Sequence, residues 1–301
     1  MSSTAIAYLA VILIWSTTPL GIVWSSESIP PTMAVLLRML IAITLGMLII
    51  KSRRIILPWH KQALKLYSFS ALGIFGGMLF SYMSAKYISS GVMSLIFGLS
   101  PVISALLAQK IANEAKLSKV RLFSMFISLA GLAVVCANSF TLKENSIYGL
   151  AFILIAVFFF SLSGVLVKTV HLAIHPMATT VGSLTVSVPL FFISWLVLDG
   201  SLDTSQWQLR SIAATVYLGI FGSLIGFYAY FYVLQKLTAS TVTLVTLITP
   251  VMALSLGAVL NNEIISFNLI IGAFLVLFGL TLYHFGEKLF LRKKALKQTE
   301  N

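Results

Sequence analysis

Leu72-Gly-Ile-Phe-Gly76 returns as Leu218-Gly-Ile-Phe-Gly222, an offset of 146 residues. Five consecutive identities mark an internal repeat, which has to be established before any single motif is read. Further on, Ser100-Pro101 with Asn113-Glu114 recurs as Thr249-Pro250 with Asn262-Glu263, an offset of 149. A three-residue difference in the connection preceding the second pair reconciles the two offsets.

Both copies of the pentapeptide lie in long uncharged stretches. Segments 66–85, 87–109, 122–142, 211–235 and 237–262 contain no Asp, Glu, Lys or Arg, and about 20 mainly apolar residues suffice for a helix to cross a bilayer. Segments 5–24, 32–50, 147–167, 177–198 and 267–285 are similar in character, so the pattern predicts ten spanning helices. The composition agrees: 59% of the 301 residues are hydrophobic and 9% charged, against roughly 25% charged in soluble domains. The longest polar stretches, 51–65 and the tail after Glu287, are too short for a soluble domain. With no GxxxxGK[ST] phosphate loop, an ATPase engine within these residues is not expected. Residues 1–10 carry no basic residue, so they read as the start of the first span rather than a cleaved secretory signal. A lone Cys136 forms no intrachain disulfide.

Two copies of five helices each force the second to enter the membrane from the opposite side. The expected fold is therefore all-α, ten transmembrane helices as two inverted five-helix repeats, over residues 1–140 and 141–286, with a basic cytoplasmic tail at 287–301. Charge sets the orientation. If the amino terminus is cytoplasmic, sixteen of the twenty Lys and Arg residues fall in inner loops and the tail, which is the bias expected of cytoplasmic segments. Both termini are then inside, and Lys86, Lys143 and Arg210 lie outside. The net charge of +12 reads as this topology signal, and nucleic acid is not an expected partner. Inverted repeats place a substrate site between the halves near mid-membrane in many secondary transporters.

Two five-helix halves, Trp15 in helix one, Pro31 followed by Arg38 in helix two, and Pro-then-Glu marking helices four and nine resemble the drug/metabolite transporter superfamily, more narrowly its EamA-domain permeases. The resemblance covers essentially the whole chain. It implies a carrier that exports or exchanges amino acids, sugars, nucleobases or other small metabolites without ATP and without a cofactor, with a cavity formed by helices one, three, four, six, eight and nine. The charge pattern and compactness of the chain suit a multi-pass protein of a bacterial inner membrane.

Mapped through the 149 offset, helices four and nine carry matching stripes of small and polar residues, alternating four and three apart on one face. Such stripes serve close helix packing in lipid, or line a cavity. Ser94, Phe97, Thr243 and Thr246 are the central members and the candidates for substrate contact. Pro101 and Pro250 each remove a helical donor and clash one turn back, which makes them candidate hinges or simple bends. Through the 146 offset, Tyr82 and Lys86 match Tyr228 and Tyr232. These tyrosines suit a polar cavity, where a buried hydroxyl finds a partner, or an interfacial belt. Trp15 either stacks on substrate or packs. Arg38 is the single charge well inside a span, a placement costing about 2.5–3.5 kcal/mol at a helix centre on insertion scales. It reaches outward to water or phosphate, binds the carboxylate of an anionic or zwitterionic substrate, or stabilises an outer gate.

No Asp or Glu lies well inside a predicted span, which points to facilitated export or exchange rather than carboxylate-based proton coupling. Lys168, His171 and His175 form a basic helix end, and one His-x-x-x-His pair among four histidines does not make a metal site. Rival readings are an importer or exchanger of a phosphorylated or nucleotide-linked metabolite, an intramembrane enzyme, and a non-transporting scaffold. An enzyme would need a nucleophile with its base, or a metal cluster, at depth, and neither is visible. Expected partners are a small-molecule substrate and the lipid bilayer. The Gly73-x-x-x-Gly77 and Gly222-x-x-x-Gly226 signals leave monomer and homodimer open.

Overall fold

The computed structural model describes residues 3–112, 117–142, 146–172, 174–236 and 245–299. It is all-helical over these residues: α1 (Ser3–Ser25), α2 (Pro31–Arg53), α3 (Lys61–Ser84), α4 (Ser90–Ile111), α5 (Lys119–Leu142), α6 (Ser146–Lys168), α7 (Pro176–Leu198), α8 (Leu209–Val233), α9 (Val245–Asn261) and α10 (Phe267–Thr299). Among the described residues, eight helices are long and apolar enough to cross a membrane, and α9 is a shorter apolar helix. The protein is a multi-pass membrane protein.

Local chemistry sets the helix ends. Proline opens α2 and α7, at Pro31 and Pro176, where its fixed φ fits the first turn and its missing N–H costs nothing. The side chains of His60, Ser89 and His175 accept from the backbone N–H of Ala63, Val92 and Met177, capping α3, α4 and α7. Arg54 and Asn262 take left-handed conformations (φ 52° and 50°) immediately after α2 and α9, a common way to stop a helix.

Taken pairwise, the helices close a ring in which α1 touches α8, α8 touches α2, and the order continues through α7, α3, α6, α4 and α9 back to α1. The α5–α10 pair lies beside this ring, packed tightly on itself. A Cβ on Gly131 would stand 2.7 Å from the backbone N of Val276, so only glycine lets these helices approach so closely. Both copies of the Leu-Gly-Ile-Phe-Gly repeat form π-helical turns, Gly73–Gly77 within α3 and Leu218–Ile225 within α8. In the sequence these glycines read only as packing signals. The wider turn belongs to backbone hydrogen bonding, which the residue pattern does not reveal.

At the end of the bundle away from Ser3, polar side chains knit helices of both halves together. Glu263 accepts from the backbone N–H groups of Ser90 (2.9 Å) and Gly91 (3.2 Å) at the start of α4, and from Asn261 Nδ2 at 3.3 Å. Asn261 Oδ1 in turn accepts from Trp24 Nε1 (2.8 Å) and Arg210 (2.9 Å). Arg210 lies over the Trp24 ring at 4.4 Å and 3.6 Å from Glu27.

Candidate functional site

A cavity of about 90 Å³ lies inside the ring. Trp15, Thr18, Pro19 and Ile22 of α1 form one wall, with Arg38 of α2 and Met78 and Ser81 of α3 beside them. Helix α4 contributes Met93, Ser94, Phe97, Gly98 and Ser100. Phe160 of α6, Gly222 and Phe227 of α8, and Thr246 and Thr249 of α9 complete it. The lining is mostly apolar and aromatic with a few convergent polar groups, the usual make-up of a small-molecule site.

Helix α4 is broken where it meets this cavity. Its first part ends at Phe97 and the second begins at Ser100. Pro101 sits in the first turn of the second part and has no N–H to return to the Phe97 carbonyl. Pro250 lies inside α9, one turn after Thr246, and its ring would be 3.4 Å from a Cβ on Gly98. Pro19, which sequence analysis passed over, stands in the same relation to Trp15 on α1. Three helices therefore each carry a proline one turn beyond a residue of the cavity wall.

Arg38 is wholly buried. Its Nε donates to Ser223 Oγ at 2.7 Å, its Cζ lies 5.9 Å from the centre of the Tyr82 ring, and Nη1 and Nη2 have no hydrogen-bond partner among the described residues. A Cβ on Gly222 would be 3.0 Å from Nη2, so the glycine leaves the guanidinium its place. The α8 π turn thus supplies both the oxygen that holds Arg38 and the gap it occupies.

Below this cavity, toward the Ser3 end, a second of about 30 Å³ is bounded by Ser70, Ile74, Val167 and Tyr230 among others. The two share Trp15, Met78, Phe160 and Phe227. Trp15 meets Phe160 edge-on at 5.9 Å and Tyr230 at 5.2 Å, and Phe97 meets Phe160 at 5.9 Å. The shared side chains form an aromatic partition between the cavities.

Of the candidate residues, the structure brings Trp15, Arg38, Ser94, Phe97 and Thr246 to one cavity. Tyr82 packs on Arg38, buried, with a hydroxyl that has no hydrogen-bond partner among the described residues. Tyr228 and Tyr232 lie elsewhere: Tyr228 stacks between His175 and Tyr232 at 6.3 Å from each, and the Tyr232 hydroxyl is 3.1 Å from Ser3 Oγ. Thr243, and Glu114 of the repeat, lie outside the described residues. Nothing in the sequence pattern singles out Ser81, Phe160, Ser223 or Phe227. Phe160 falls in the run Phe158-Phe159-Phe160, where nothing in the sequence tells the inward ring from the outward ones.

Matches to known proteins cover this whole architecture. The EamA-like transporter family matches residues 2–137 and again residues 147–285. The chain belongs to the EamA-like transporter family. Among relatives of this EamA-like protein, an uncharacterized transporter of Archaeoglobus fulgidus is 28% identical over 271 residues, covering 88% of this chain and 93% of the relative. Protein PagO of Salmonella typhimurium is 27% identical over 294 residues, covering 91% and 93%. The uncharacterized inner membrane transporter YedA of Escherichia coli K12 is 25% identical, covering 96% and 93%. One solved crystal structure superposes with a TM-score of 0.65 at 20% identity, covering 94% of this chain and 97% of that one, which shows a shared fold. The EamA-like protein is thus a membrane transporter and not an enzyme.

Proposed function

We propose that this protein is a secondary transporter of the cell inner membrane that releases small polar or amphipathic metabolites from the cytoplasm by alternating access, without ATP. The observation that carries this reading is the cavity lined by helices of both halves of the chain, with the Glu263 network toward the end away from Ser3 and the aromatic partition toward the Ser3 end. Trp15, Arg38, Ser94, Phe97 and Thr246 are its substrate contacts, and the broken α4 and Pro250 of α9 its hinges. The ring order supports two inverted halves of five spans each. Exchanging α1–α4 with α6–α9 returns the same ring read in the opposite sense, as a two-fold axis in the membrane plane requires. The distribution of Lys and Arg supports cytoplasmic termini.

Profiling the medium of cells with and without the overexpressed protein, alongside a Thr246→Trp variant that fills the cavity, tests the reading. A metabolite enriched outside by the wild type and not by an equally expressed variant is the expected result. Enrichment that survives Thr246→Trp removes the cavity from the pathway. Reporters fused after Lys61 and after Asp203 are expected on opposite sides of the membrane, and the same side would refute the topology.

A further inference from the structure

Arg38 is held as a site rather than merely tolerated. One edge of its guanidinium is satisfied by Ser223, one face is covered by the Tyr82 ring, and the two terminal nitrogens are buried without a hydrogen-bond partner among the described residues, on a side chain that lines the cavity. A buried cation is costly unless it is paired, and no Asp or Glu is among the described residues of that wall. The counter-charge therefore has to arrive with a ligand. A guanidinium offering two adjacent NH₂ groups matches the two oxygens of a carboxylate.

We propose that Arg38 binds the carboxylate of a monoanionic metabolite whose body is apolar, and that this defines the substrate class of the central cavity. The inference rests on that cavity being the transport site. Charge matching selects the head group: one fixed positive charge neutralises one negative charge. A dianionic phosphate would leave a buried excess, while the ammonium of an amine would meet a cation and no carboxylate. The body is selected by Trp15, Met78, Met93, Phe97, Phe160 and Phe227, which make up most of the remaining wall and favour an aliphatic or aromatic group.

The test uses purified full-length protein and compounds sharing a phenyl body: 3-phenylpropionate, phenylalanine, phenethylamine and phenyl phosphate, at pH 7. Binding is read from tryptophan fluorescence. 3-Phenylpropionate is expected to bind at least about tenfold more tightly than the other three, and Arg38→Gln to weaken it by about tenfold or more. Arg38→Lys, a point charge without the fork, is expected to fall between. The preference of the unmodified protein among head groups carries the test even where a variant does not fold. Equal binding of acid and amine, no binding of the acid, or unchanged acid affinity in folded Arg38→Gln overturns the proposal. Thr246→Trp separates the two readings. Acid binding lost in Thr246→Trp but kept in Arg38→Gln removes the role of Arg38 and leaves the cavity standing. Binding kept in both removes both.

Discussion

At the scale of residues, Arg38 shows how a single charge can be legible while its setting is not. It stands out as the one charge deep in a span, and a sequence alone suffices to see that something must compensate it. Ser223 does not stand out. At the 146 offset it corresponds to Gly77, and it lies in the π turn of α8 with its oxygen on the guanidinium. Replacing Ser223 with Ala strands a third buried donor group of Arg38, a loss of about 1–3 kcal/mol. Ser223→Ala is therefore expected to lower the thermal unfolding temperature of the purified protein, while the conservative Ser223→Thr restores most of it. Gly222→Val is expected to be more severe, because its Cβ would press on Arg38 Nη2 at 3.0 Å and its branches need still more room.

Among the elements, the acid of the repeat acquires a definite task. Pro-then-Glu reads in the sequence as the signature of helices four and nine, and the structure shows Glu263 accepting from the first N–H groups of α4. The carboxylate joins the loop after α9 to a helix of the other half and complements the positive end of that helix. Glu263→Ala removes the acceptor of two amides, again about 1–3 kcal/mol for each group left unsatisfied, and 1.4 kcal/mol already shifts an equilibrium tenfold. In a Cys136→Ser background, a cysteine at Ser94 is expected to react several-fold faster with a membrane-impermeant thiol reagent when Glu263→Ala is added. An unchanged rate would show that the network does not hold this end shut. The tyrosine pairs were less legible, since Tyr228 and Tyr232 share a helix face as their four-residue spacing requires, yet spacing says nothing about which neighbour that face meets.

For the whole molecule, the repeat offsets pair the helices but not their order around the ring, which depends on contacts between residues far apart in the chain. Once the order is known, α4 and α9 are neighbours on the inferred axis, and their separation becomes a measure of opening at the Glu263 end. Gly91 faces Leu254 there, with a Cβ on Gly91 3.3 Å from the Leu254 Cα, close enough for a crosslink. In the Cys136→Ser background, Gly91→Cys with Leu254→Cys is expected to lose transport on oxidation and regain it on reduction. Full transport in the oxidised, crosslinked protein would mean that transport does not require α4 and α9 to separate at this point.

The arginine stays in the protein when its ligand leaves, and that has an electrical consequence. An anion released alone carries its charge across the full membrane potential, worth about 2.3 kcal/mol per 100 mV for each elementary charge. With the cell interior negative, that field would push such an anion outward, so the proposed export would need neither a proton nor a sodium ion to accompany it. In proteoliposomes holding 3-phenylpropionate, a valinomycin-imposed potential, negative inside, is expected to speed efflux, and reversing its sign to slow it. The voltage the cell already maintains would then be the motor.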